Sequence, residues 1–168
     1  MERIETKRLV LRRFASHDWY DLVALAADWK AAPGPEFDKL PTDERECREL
    51  TEYLASSNKY FAVCIRREGG VIGLIALNGR DETGRFDLGH IIHSRYQDDD
   101  HDREALAAAV QHIFESTDVA AIATHNSDHP PQLAPLRSLG FKDSHLAGSR
   151  ELTLDRAEWE GSLSGTVR

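Results

Sequence analysis

The run YQDDDHDREAL puts four carboxylates, Asp98, Asp99, Asp100 and Asp102, within five residues and directly ahead of the alanine-rich stretch REALAAAVQHIFE. Carboxylates at that spacing suit oxygen ligation of a divalent cation, or they satisfy the N–H groups that open a helix. Just upstream, RFDLGHIIHS holds Asp87, His90 and His93, a carboxylate and two imidazoles of the kinds that move protons near neutral pH. Downstream, HNSDHPPQ sets His125 and His129 four apart around Asp128, a zinc spacing only on a helix; Pro130 and Pro131 favour a loop instead. No metal site is assigned.

These residues need elements to hold them. Leu106, Ala109, Val110 and Ile113 recur at helical spacing, which predicts a helix from about His101 to Ser116. Ahead of it, RFDLGHIIHS reads as a strand buried on both faces. Its two-residue period sets Asp87, Gly89, Ile91 and His93 on one face and His90 on the other. KYFAVCIRR and VIGLIALNG, joined by EGG, form a hairpin.

Nearer the N-terminus, Leu9 to Phe14 is a first strand. Ser16 then caps a helix to about Ala31 with a stripe of Trp19, Leu22, Val23, Ala26 and Trp29. The loop APGPEFDKLP, with prolines at 33, 35 and 41, ends that helix; Thr42 or Asp43 caps a second one carrying Cys47, Leu50, Tyr53 and Leu54. After the long helix come the strand VAAIAT, a short helix in PPQLAPLRSLGF and a strand near RELTL. Antiparallel hairpins with a single strand–helix–strand crossover make a mixed sheet of α+β class. The expectation is one domain over residues 1–160, followed by a polar tail over 161–168.

A hydrophobic share of 40% over 168 residues is enough for one full core. With 21 basic against 29 acidic residues the formal charge is -8, which disfavours nucleic acid as a partner. Cys47 and Cys64 have neither disulfide nor metal spacing and read as reduced thiols. MERIETKRLV lacks the apolar run of a signal segment, and no stretch approaches the ~20 apolar residues of a membrane span, so no membrane contact and a cytoplasmic location are expected.

Four stretches carry a resemblance. IETKRLVLRRF, DLGHIIHSRYQ, REALAAAVQHIFE and LRSLGF, in that order between Ile4 and Trp159, resemble the opening strand, central strand, following helix and closing signature of the GNAT superfamily of N-acetyltransferases, especially its RimJ/RimL-like branch. The resemblance implies a single GNAT-type domain with a mostly antiparallel sheet and a homodimer. It also implies transfer of an acetyl group from acetyl-CoA to a small amine or a protein N-terminus.

In that family the central strand leads into a Gln/Arg-x-x-Gly-x-Gly/Ala loop. Its N–H groups, with the next helix N-terminus, hold the cofactor pyrophosphate. Here Arg95 takes the first place, and Asp98 and Asp100 stand where the glycines belong. The implied cofactor site is Ile91, Ile92 and His93 on the strand, then Gln97, Asp98, Asp99, Asp100, His101, Asp102 and Arg103. His129 and Gln132 stand in for the family's Asn and Ser. At roughly 6 Å and an effective dielectric of about 20, each carboxylate repels a phosphate charge by about 3 kcal/mol.

Three readings of the acidic loop stand side by side. The aspartates cap the helix, a divalent cation bridges them to the pyrophosphate, or Arg95 and Arg103 compensate their charge. Under the first reading acetyl-CoA binding is lost, and the chain is a ligand-binding or dimeric interaction module on the same fold. For catalysis, Asp87 matches the family's carboxylate near the start of the central strand, and His93 is the alternative base. Leu136 replaces the tyrosine that protonates the leaving thiolate in many of these enzymes; Tyr96 or water is left for that role.

Overall fold

The structure is a computed structural model that describes residues 3–31, 40–97, 100–125, 130–144 and 151–164. Within these described residues eight strands form one sheet: β1 (Ile4–Glu5), β2 (Leu9–Arg13), β3 (Tyr60–Ile65), β4 (Val71–Arg80), β5 (Phe86–Ile92), β6 (Ala121–Thr124), β7 (Lys142–Asp143) and β8 (Leu152–Asp155). They lie in the order β1-β2-β3-β4-β5-β6-β8-β7, antiparallel throughout except for the parallel β5–β6 pair, which the crossover helix joins. This is the expected α+β class and the GNAT-type arrangement.

Among the described residues, five helices accompany the sheet: α1 (Trp19–Ala31), α2 (Glu44–Ser56), α3 (His101–Ser116), α4 (Pro130–Ser138) and α5 (Arg156–Ser164). The alternation of β2 to β4 splits their side chains between two cores. Leu9, Leu11, Phe61, Val63, Leu88 and Ile92 meet Leu106, Val110 and Ile113 of α3 and Leu136 of α4. Ala62, Cys64 and Leu74 meet Leu22 and Leu25 of α1 and Leu54 of α2 on the opposite face. Both thiols are buried, and burial pushes Cys64 up to about 11, so neither is a ready nucleophile.

Close approach of β4 to β5 depends on Gly73. A Cβ there would lie 2.3 Å from Cδ1 of Ile92 and 2.5 Å from the carbonyl of Ile91. At the far end of α3, Arg156 donates to the carbonyls of Phe114 (2.7 Å), Thr117 (2.8 Å) and Val119 (2.9 Å). One guanidinium thus closes the helix C-terminus, where positive charge is favoured.

Several local expectations need correction. Ser16 is exposed and opens a 3-10 turn rather than capping α1; Asp18 does the anchoring, accepting from the N–H of Ala15 at 2.7 Å and from Arg12 at 2.7 and 2.8 Å. Trp19 and Trp29 are half-buried at the edge of the α1 stripe, whose missing member is Leu25, and Tyr53 on α2 is exposed. β5 is not buried on both faces: Leu88 and Ile92 are buried, while Asp87, Gly89 and Ile91 are only half-covered. Among the described residues, α1 and α2 pack on β3 and β4, with Ile91 of β5 at the margin of that cluster. The short helix expected in PPQLAPLRSLGF is α4, which runs through Pro135. α5 carries the chain as far as Ser164, into the stretch read as a tail.

Candidate functional site

β5 and β6 pair only at Phe86↔Ile122 and Asp87↔Ala123. β5 continues to Ile92, yet no described strand lies along that edge beyond Asp87, so the two strands part. The N–H of His93 donates to the carbonyl of Ile72 across the β4 side at 2.9 Å. Backbone directions alternate along a strand, so the backbone of Ile92 faces the open side. Its carbonyl there accepts from Nε2 of Gln97 at 2.9 Å.

The start of α3 stands at the mouth of this opening. Asp100 adopts φ 59° and ψ 18°, the only non-glycine residue with positive φ among those described. This is the left-handed region, which suits glycine and which Asp and Asn tolerate best among other residues. Its side chain makes no capping bond, contrary to the capping expectation; its carbonyl accepts from Glu104 N at 3.0 Å. The loop therefore keeps a glycine-type turn with a carboxylate attached. Asp98 and Asp99 lie outside the described residues.

Asp102 behaves differently. Only 5% exposed, it accepts from the N–H of Arg103 at 2.7 Å and so takes one donor that an anion could use. Burial raises its carboxyl above the usual range; the Arg103 N–H works against that rise, and the charge of Asp100 adds to it. A cavity of about 400 Å³ opens here, lined by Gln97, Asp100, Asp102 and Arg103 and, from α4, by Ala134, Pro135 and Ser138. Nε of the exposed Arg103 donates to Oγ of Ser138 at 3.2 Å across that cavity. Arg95 is exposed beside the ring of Tyr96.

His93 is tied to α1. Its Nδ1 accepts from Arg95 N at 3.2 Å and lies 3.6 Å from Oδ1 of Asp28, while Ser94 donates to Asp28 through N–H (2.8 Å) and Oγ (2.5 Å). The next ring, Tyr96, meets His93 and His101 edge-on, with centroids 6.1 and 5.8 Å away.

A second polar group lies on the open part of the sheet. Oδ2 of Asp87 accepts from Nδ2 of Asn78 at 3.1 Å, and its Oδ1 lies 3.8 Å from Nε2 of His125. The other ring nitrogen, Nδ1, lies 3.3 Å from Oε1 of Glu151. Oε2 of Glu151 accepts from Arg85 at 2.9 Å, and Arg85 also pairs with Asp81 at 2.9 Å. Strand register explains the meeting, since Asp87 opposes Ala123 and Thr124 opposes Leu152, which brings His125 and Glu151 to neighbouring places on one face.

The family model for an acetyltransferase (GNAT) domain matches residues 8–142. The chain belongs to the GNAT acetyltransferase family. Comparison with curated proteins finds no significant relative. Among solved structures, the chain is similar to a GNAT-family acetyltransferase of Bacillus anthracis at 15% identity and TM-score 0.75, covering 92% of this chain and 98% of that one. It is similar to the ribosomal-protein-S5-alanine acetyltransferase of Vibrio fischeri at 14% identity and TM-score 0.67, covering 95% and 99%. It is also similar to Mycobacterium smegmatis RimJ, solved in complex with CoA-disulfide, at 15% identity and TM-score 0.66, covering 89% and 83%.

Within this GNAT domain, Gln97, Asp100, Asp102 and Arg103 line one cavity. Ile91 does not join them, because its side chain packs toward the core under α1. Ile92 is buried on the α3 side and offers that region only its backbone. Gln132 is buried in α4, and His129 lies outside the described residues. Leu136 is fully buried, which leaves no acid at that place. Two buried polar atoms, Oγ1 of Thr124 at the end of β6 and Nδ1 of His101 at the start of α3, have no hydrogen-bond partner among the described residues.

Sequence reasoning passed over Asn78, Glu151, Arg85 and Asp81, and weighed His125 only as a zinc ligand. Their one signal is register: matched to β6, RELTL sets Glu151 beside His125.

Proposed function

We propose that this GNAT protein transfers an acetyl group from acetyl-CoA to a primary amine, with a protein N-terminus as the acceptor class. The observation that carries this reading is the parting of β5 from β6 with the N-terminus of α3 at its mouth. An unpaired strand edge accepts an extended chain bearing amide groups, and a helix start favours the phosphates at its far end. The residues fit such a cofactor. Asp100 keeps the left-handed turn that a glycine would make, and Oγ1 of Thr124 and Nδ1 of His101 have no hydrogen-bond partner among the described residues.

Acetyl-CoA supplies the activated thioester. For their part, Gln97 holds the carbonyl of Ile92 in place, Asp28 fixes the turn through Ser94, and Asp87 offers a negative charge to an ammonium on the open sheet face. The similarity to a ribosomal-protein-S5-alanine acetyltransferase supports a protein acceptor, and the similarity to a spermidine/spermine N-acetyltransferase supports a small amine as the alternative.

A second reading has its own observation. Asp102 and Asp100 present carboxylates to the cavity where phosphates would lie, which favours a module that no longer holds CoA. Calorimetric titration with acetyl-CoA in the presence of chelator separates the two, combined with mass-spectrometric detection of acetyl transfer to an alanyl peptide. Binding with transfer is expected. Absence of heat at millimolar acetyl-CoA would leave the binding module as the function.

A further inference from the structure

We infer that His125, oriented by Glu151, accepts the proton of the acceptor ammonium, which docks between Nε2 of His125 and Oδ1 of Asp87. The inference rests on the acetyl-transfer reading above and adds to it the group that moves the proton. Glu151 is the nearer of the two carboxylates, 3.3 Å from Nδ1 against 3.8 Å between Nε2 and Asp87, so the ring hydrogen is assigned to Nδ1. Nε2 then keeps its lone pair on the side of Asp87.

Two acceptors now face each other across 3.8 Å, too far for a direct hydrogen bond and close enough to share one donor. A nitrogen about 2.9 Å from both fits that gap. An ammonium supplies hydrogens in both directions and a positive charge beside a carboxylate, whereas a neutral or anionic group satisfies neither demand.

The surroundings reinforce this assignment. Among the described residues, the charged groups around His125 are Asp87 from β5 and Glu151 ahead of β8, with Arg85 and Asp81 behind Glu151; Asn78 from β4 anchors Asp87. Arg85 bridges Glu151 and Asp81, so Glu151 is braced from the side away from the imidazole. Glu151 has only 14% of its side chain exposed, while His125 has 55% and can release a proton to water.

The step balances as follows. The ammonium gives one proton to Nε2 of His125 and becomes a neutral amine. Its lone pair forms the C–N bond to the thioester carbonyl carbon as the C–S bond breaks. The departing thiolate takes the second proton, and the imidazolium returns its own to solvent. By residue type, an imidazole is a better-matched base for an ammonium than a carboxylate is. His125 is therefore the catalytic residue, Glu151 a positioning residue, and Asp87 the counter-charge.

The test uses the full chain with an alanyl peptide and its N-acetylated form as probes. Long-range nitrogen NMR of His125 should show the Nδ1–H tautomer, which Glu151→Gln should turn into a mixture. The free peptide should shift the Nε2 signal and the acetylated peptide should not. His125→Gln should lower kcat by about 100-fold, with the Kd for acetyl-CoA unchanged within about twofold. An Nε2–H tautomer in the parent, or parent-like kcat in His125→Gln, overturns the inference and leaves acetyl transfer standing. If the parent transfers nothing, the acetyl-transfer reading and the proton step fail together, and the peptide-induced shift alone decides whether the ammonium site exists.

Discussion

Glu104 and Arg8 are joined across 96 residues: the Glu104 carboxylate accepts the backbone N–H of Arg8 at 2.8 Å and its Nε at 2.6 Å. Thr6 Oγ1 donates to the same carboxylate at 2.5 Å, so one side chain in the first turn of α3 holds the chain entering β2. Burial opposes ionisation of Glu104, but these donors win and hold its carboxyl below the usual range. A lowered carboxyl contributes stability that is present above its unfolded value and lost as pH falls through the folded one. Glu104→Gln should therefore cost about 1–2 kcal/mol at pH 7, discounted for the partial exposure of Arg8. Thermal melts should show the gap from the parent closing on acidification.

Asp102 has the opposite sign. Its carboxyl is raised by burial, so it favours folding most below its unfolded value, and that contribution is lost as pH rises through the folded value. Asp102→Asn keeps an acceptor for Arg103 N–H and removes the buried charge. The variant should melt at higher temperature than the parent at pH 7 and at nearly the same temperature near pH 3, and it should bind acetyl-CoA more tightly by calorimetry.

Asp100→Gly follows from the left-handed backbone. No side-chain cap exists to be lost, and glycine occupies φ 59° without strain. Stability should be unchanged or rise by up to about 1 kcal/mol, despite the usual entropic cost of glycine. Acetyl-CoA affinity should increase, because a carboxylate leaves the cavity. Denaturant titration with and without the ligand measures both effects.

Arg156→Ala removes three hydrogen bonds to the carbonyls that end and follow α3. Hydrogen bonds from a charged donor are worth more than neutral ones, and these carbonyls would be left without that donor. A loss of about 2–4 kcal/mol is expected, a fall in Tm of roughly 4–15 °C for a domain this size. Arg156→Lys should recover less than half, because an ammonium cannot reach three carbonyls with a planar fork.

Asp87→Asn should lower kcat for an amine acceptor by about 10- to 100-fold while leaving the Kd for acetyl-CoA nearly unchanged. Its side chain lies on the open sheet face with Asn78 and His125, away from the residues lining the α3–α4 cavity. Steady-state kinetics with an alanyl peptide and a separate acetyl-CoA titration check the two halves.

What the sequence determined by itself was the set of elements and their order. The apolar run YFAVCI and the three-and-four spacing of Leu106, Ala109, Val110 and Ile113 are local patterns, read from residues a few places apart. The α3 bounds, the hairpin and the crossover were therefore legible, as was the acidic loop at a helix start. Tertiary structure alone decided how the side chains meet. Asp87, His125 and Glu151 come together only because β6 pairs in parallel with β5 and antiparallel with β8, and strand register is a non-local property. The parting of β5 from β6 is likewise a matter of where pairing stops. The turn at Asp100 is a backbone angle that its residue type permits without requiring. Arg156 closes α3 from 40 residues beyond the helix end, because the fold brings the first residue of α5 to carbonyls that a guanidinium can satisfy.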